Sequence, residues 1–209
     1  MELHIDRCWA RLRFCGRAGN KTKEEAMTMH QQKKETSPMK TVLRVVAFVV
    51  SLAAIGLATR PFAQAMTSFY AVHAVMAAPF YALVVTLFMR WRVPMWSLCL
   101  ASCVFGLAMG IMSPIMGASI MVPAFCSLLV WLVMRHADLE QRAAMCGAVF
   151  GGTCYMATVA AGAALGGFGF ADGSRLLEAS IMAVLGVALA ILGSLVASAI
   201  AEKLGRTVV

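Results

Sequence analysis

From Val93 to Met134 the chain carries no charged side chain, and the run is bounded by Arg92 on one side and Arg135 on the other. One membrane crossing takes about 20 apolar residues. The run is therefore too long for a single crossing and too apolar for a segment that lives in water. Its middle reads CVFGLAMGIMSPIMGASI, residues 103–120. Proline lacks an amide hydrogen and disfavours helical conformation in the residue before it. Ser113-Pro114 thus predicts a break, with two crossings joined by a tight turn.

The remainder of the chain follows the same logic. It is 61% hydrophobic and 13% charged over 209 residues, with a mean hydropathy of +0.80. A soluble domain of this size cannot hide so much apolar surface, so the class is an all-α polytopic membrane protein. Six spans are expected, at about 41–59, 67–89, 95–112, 115–134, 143–168 and 176–201. Arg60-Pro61 is expected to end the first, Arg90-Trp91-Arg92 the second and Arg135-His136 the fourth.

Basic residues near membrane spans concentrate on the cytoplasmic side. With the N-terminus inside, the inner segments hold ten basic residues up to Arg44, together with Arg90, Arg92, Arg135, Arg142, Lys203 and Arg206. The outer loops hold Arg60 and Arg175. A single crossing over 93–134 would place Arg135 and Arg142 outside, so the rule also favours the break at Ser113-Pro114. The expected architecture is a six-helix bundle with both termini cytoplasmic. Trp91 and Trp96 flank an inner turn, where aromatic belts form.

Residues 1–40 are polar and basic and lack the apolar core of a cleavable signal peptide. They read as a disordered cytoplasmic leader, or as an extension ahead of a true start at Met27 or Met29. Their charge suits cytoplasmic retention and anionic lipid better than nucleic acid. Seven cysteines occur without a CxxC pair or a Cys/His cluster of zinc spacing, so neither a metal nor a cofactor is expected. Cys99 and Cys103 share a helix face and read as small packing residues.

Lipid gives no hydrophobic drive for helices to associate, so close packing through small residues must supply it. Such spacing recurs: Ala47/Ser51 and Ala54/Ala58 in helix 1, Gly106/Gly110 in helix 3, Gly147/Gly151 and Gly162/Gly166 in helix 5, and Gly193/Ala197/Ala201/Gly205 in helix 6. Polar side chains within spans are costly and so point more directly to function. His73, Ser119, Tyr155, Thr158, Asp172, Arg175 and Glu178 all fall toward the outer half on the expected topology and form the candidate substrate site. For each, an ordinary structural role competes: interhelical bonding for His73, Tyr155 and Thr158, solvated loop charge for Asp172 and Glu178. No GxxxxGK[ST], HExxH or GxSxG motif is present, and only Glu178 among the acids approaches a span interior. A self-powered pump or an intramembrane protease is poorly supported, and no enzyme activity is expected.

Three segments resemble the substrate-binding S components of energy-coupling factor (ECF) transporters, more narrowly the MptD-like group. VHAVMAAPFYALVVTLFMRWRVP (72–94) resembles that group's helix 2 with its central proline and basic turn. CVFGLAMGIMSPIMGASIMVPAF (103–125) resembles its glycine-rich helix 3 and the start of helix 4. LGVALAILGSLVASAIAEKLGR (185–206) resembles the small-residue final helix and basic tail. Ala78 before Pro79 departs from the glycine expected there. The resemblance covers about 41–206 and implies capture of a vitamin or related micronutrient at the outer face of a prokaryotic cell membrane. It further implies a coupling (T) subunit and two ATPase subunits as partners, with Ala54 and Ala58 matching the AxxxA contact to the coupling subunit. The pocket is implied to lie among helices 4 to 6 and the outer loops. The alternative reading is a structural or assembly membrane protein without a small-molecule ligand.

Overall fold

Six helices account for the apolar runs. In the computed structural model, which describes residues 38–65, 72–165 and 173–207, they are α1 (Pro38–Ala65), α2 (Val72–Arg90), α3 (Met95–Met112), α4 (Pro114–Val133), α5 (Leu139–Ala164) and α6 (Gly173–Thr207). All six are long and apolar enough to cross a membrane, and the described residues form no strand. The chain is thus an all-helical, multi-pass membrane protein. Leu43–Val209 makes one compact unit; of a second, Met1–Val42, only the start of α1 is described. The expectations for the leader lie outside the described residues.

The break at Ser113-Pro114 is there. Ser113 alone is extended, at φ −155° and ψ 115°, and Pro114 opens α4 at its first position. Proline's missing donor is harmless there, because the first helical N–H groups have no partner within the helix. The Ser113 amide closes α3 on the Met109 carbonyl at 2.9 Å, and the Gly117 amide opens α4 on the Ser113 carbonyl at 3.1 Å. Immediately after the turn the two helices cross tightly. A Cβ on Gly117 would stand 2.8 Å from the Gly106 carbonyl oxygen and 2.8 Å from the Gly110 Cα. The Gly106/Gly110 spacing is therefore the α3–α4 seam.

The first span ends where expected, before Arg60-Pro61, but the helix does not. The apolar span stops at Thr59, but the helix runs on to Ala65 with Pro61 inside it. Proline costs one backbone bond and some distortion. The break is tolerated because it falls at the end of the span, where the freed Leu57 carbonyl is no longer deep in hydrocarbon. α6 likewise continues past its expected end near residue 201, through the basic tail to Thr207.

The helix pairs with closely approaching backbones are α2–α6, α2–α5, α4–α5, α3–α4 and α5–α6. Where α2, α5 and α6 meet, Ala78, Ala82 and Ala190 are fully buried together. A Cβ on Gly151 would run into the Ala78 carbonyl and the Ala190 methyl. On α4–α5, Ser127 Oγ donates to the Cys146 carbonyl at 3.0 Å and Cys146 Sγ to the Ser127 carbonyl at 3.4 Å. α1 is held differently, by large side chains. Phe48 packs edge-on against Phe88 with ring centres 5.5 Å apart, and Leu52 is buried beside it in the core. The outward faces are apolar stripes, such as Val104, Leu107 and Ile111 on α3 and Leu177, Ile181 and Val184 on α6. That pattern suits lipid as the surrounding solvent.

One end of the bundle gathers charge. Arg90 pairs with Glu140 at 2.9 Å, the Arg142 guanidinium lies 3.3 Å from the Trp131 ring centre, and Arg44 donates to the Trp91 carbonyl at 2.8 Å. Here α2 ends in a Schellman arrangement. The Arg92 amide donates to Met89 and the Val93 amide to Phe88, at 3.0 and 3.1 Å. Arg92 has φ 61°, a left-handed conformation that costs a side-chain-bearing residue roughly 1 kcal/mol. Its side chain is exposed, so Arg92→Gly is expected to stabilise the purified chain by about 1 kcal/mol. Thermal unfolding in detergent checks this; a lower midpoint would mean that the Arg92 side chain holds the turn.

Candidate ligand-binding cavity

At the opposite end, beside the Ser113 turn, five helices enclose a cavity of about 550 Å³. Its existence follows from the way α1 is seated. Phe48 pins α1 nearer the charged end, while from Leu52 on α1 lines the cavity, with the small Ala53 and Gly56 beside the larger Leu52, Leu57 and Thr59. α2 faces it with Ala74 and Ala77. Small residues on both helices, without the close backbone approach seen elsewhere, leave the space open. α3 and α4 bring Phe105, Met109, Met112, Met116 and Ile120 from either side of their turn, and α5 adds Cys154. Leu57 and Met112 line the cavity yet are 64% and 76% exposed, so its mouth lies beside them.

The polar lining separates into two kinds. Thr59, Ser119 and Thr158 donate their hydroxyls to carbonyls of their own helices: Thr59 to Ile55 at 3.0 Å, Ser119 to Met116 at 2.8 Å and Thr158 to Cys154 at 2.8 Å. These hydroxyls can still accept a bond, but their protons are committed. Among the described residues the imidazole of His73 and the hydroxyl of Tyr81, which line the same cavity, have no hydrogen-bond partner. They sit eight residues apart on one face of α2 with Ala77 between them, about 12 Å along the axis. Tyr81 is steadied by Phe150, edge-on with ring centres 6.1 Å apart. None of the described lining residues is charged.

The structure therefore brings together three of the seven expected substrate residues: His73, Ser119 and Thr158. Tyr155 is 2% exposed and faces α6, its Cβ 3.8 Å from the place a Gly186 Cβ would occupy. Arg175 is exposed and Glu178 half-buried on the first turns of α6, which contributes nothing to the described wall. Asp172 lies outside the described residues. The wall comes from α1 to α5, whereas the resemblance implies helices 4 to 6. Ala54 and Ala58 are exposed on the outward face of α1, in line with Val50 and Ala47. Sequence reasoning missed Tyr81, the second free donor. Its signal was the His73-x-x-x-Ala77-x-x-x-Tyr81 spacing, which stacks all three on one helix face. Met112 and Met116 line the cavity, and Met121 packs toward Gly106. Among the described residues no three His, Cys, Asp or Glu side chains gather as a metal site would require.

Comparison with protein-family models, with curated proteins and with solved structures finds no match for the chain.

Proposed function

We propose that this chain is the substrate-capture subunit of an uptake system, an S-component-like protein of the ECF class that binds a vitamin or related micronutrient. The observation that carries the reading is the cavity of about 550 Å³ at one end of the bundle, whose described wall is mostly apolar and includes the His73 imidazole and the Tyr81 hydroxyl, neither bonded to another described residue. Ligand pockets of about 300–1,000 Å³ with few polar groups are the form small-molecule sites take. Arg92 and Arg135 sit on the connections at the other end, with Arg90 closing α2 and Arg142 in the first turn of α5, so the positive-inside rule would put that end in the cytoplasm and the cavity at the outer face. Both termini are then inside, and the membrane is a prokaryotic cell membrane.

The chain has no phosphate-binding loop, so on this reading the energy comes from partner ATPases through a coupling subunit. The exposed Ala54/Ala58 face of α1 is where that subunit docks, because small side chains allow a second helix to lie close. Purification into lipid nanodiscs followed by mass spectrometry should recover a small molecule held by the chain, and pull-down from the host should recover a coupling subunit with its ATPases. If both come back empty, the chain is instead a structural or assembly component. Ala54→Leu with Ala58→Leu is expected to reduce recovery of the coupling subunit by about tenfold while leaving the small molecule in place. Equal loss of both would remove the docking assignment.

A further inference from the structure

We propose that the ligand is an uncharged molecule with a ring-bearing, apolar body, and that a net charge on it is selected against by the wall itself. This rests on the capture reading above and narrows it to a chemical class. Among the described residues the lining contains neither a cation nor an anion, and an ion moved from water into such surroundings loses far more hydration than unpaired dipoles return. The three lining hydroxyls have given their protons to backbone carbonyls, so they cannot turn those protons toward an anion. What remains is the His73 imidazole, which in its neutral form donates at one nitrogen and accepts at the other, and the Tyr81 hydroxyl. Two such groups on one face of α2 can orient a neutral ligand through hydrogen bonds at separate points along its length.

The rest of the wall suits a flat ring system. Met109, Met112 and Met116 lie around the α3–α4 turn and share the cavity with Phe105. Thioethers on unbranched side chains adapt to irregular shapes and make favourable contacts with aromatic edges. The exposed rim residues Leu57 and Met112 are also apolar, so the route in repeats the preference of the interior.

A matched pair of fluorescent probes tests this. N-phenyl-1-naphthylamine is neutral, and 8-anilino-1-naphthalenesulfonate carries the same ring frame with a sulfonate. Both are titrated into the full chain in nanodiscs of uncharged lipid, with empty nanodiscs subtracted. The cavity is filled independently by Ala77→Phe and Ala53→Phe, each checked for monodispersity, so that one misfolded variant does not decide the result. The expected result is saturable binding of the neutral probe, at least about tenfold weaker binding of the sulfonate, and loss of the neutral signal in the filled variants. Sulfonate binding as tight as the amine, and lost on filling, would overturn the charge preference while leaving a functioning pocket. Absence of saturable binding, or binding indifferent to both fillings, would also overturn it. The capture reading falls with it only if nanodisc purification recovers no small molecule either.

Discussion

Gly193→Leu is expected to prevent stable assembly of the bundle. A Cβ at this position would stand 2.8 Å from both the Cα and the carbonyl carbon of Pro79, and would run into the carbonyl oxygen. Everything it meets is backbone, so no rotamer change relieves the clash; α2 or α6 has to move. The neighbouring Ala190 and Ala197 are fully buried, so a displaced α6 loses its contacts over more than one turn. Overpacking of this kind costs about 3 kcal/mol or more. The measurement is the fraction of monodisperse protein in size-exclusion chromatography after graded heating. Gly186→Ala is the matched control on the same helix. Its new Cβ would meet Tyr155 Cβ at an ordinary 3.8 Å, and replacing glycine by alanine in a helix gains about 0.5–1 kcal/mol. Equal behaviour of the two variants would show that α2 and α6 do not depend on this close approach.

On the proposed capture function, Ala77→Phe is expected to reduce retention of a co-purifying small molecule by more than about tenfold, without affecting recovery of a coupling subunit. Ala77 lies between His73 and Tyr81 in the cavity wall and is 2% exposed. A phenyl ring there occupies the space between the two free hydrogen-bonding groups. The proposed docking face around Ala54 and Ala58 lies on the outward side of α1 and is untouched. Tyr81→Phe asks a finer question, since it removes only the hydroxyl. Loss of one neutral hydrogen bond corresponds to about 0.5–1.5 kcal/mol, hence a weakening of several-fold rather than loss. Mass-spectrometric quantification of bound ligand per chain reads both variants. Undiminished retention in Ala77→Phe would place the ligand elsewhere.

Much of the fold was legible because the solvent imposes it. A run without charge from Val93 to Met134 has to cross hydrocarbon, and a proline after Ser113 has to interrupt it; both follow from local chemistry, and the turn lies where that chemistry puts it. Pro61 follows the end of the first span as that local rule expects, yet it does not end the helix. A helix end also depends on whether the lost backbone bond falls in lipid or near water, and sequence spacing does not show that depth. The site was legible in part. His73, Ser119 and Thr158 are polar groups in apolar spans at the same end of the bundle, and the cavity collects them. Tyr81 went unnoticed because a tyrosine amid alanines and valines reads as core, which its packing on Phe150 partly makes it. Arg175 and Glu178 looked equally eligible, but they belong to a helix that packs on α2 and α5 away from the described wall.

The sequence by itself determined the number of crossings, the charged end and the turn between α3 and α4, because hydrophobicity, charge and proline act over a few residues at a time. Only the tertiary structure decided which helices touch and where space is left between them. That choice depends on matching small-residue faces, such as Gly193 to Pro79 and Gly151 to Ala78, across residues far apart in the chain. The cavity is what remains where no such match occurs: α1 is held off by Phe48, and the opening beyond it is bounded by alanines, methionines and two polar groups unbonded to other described residues.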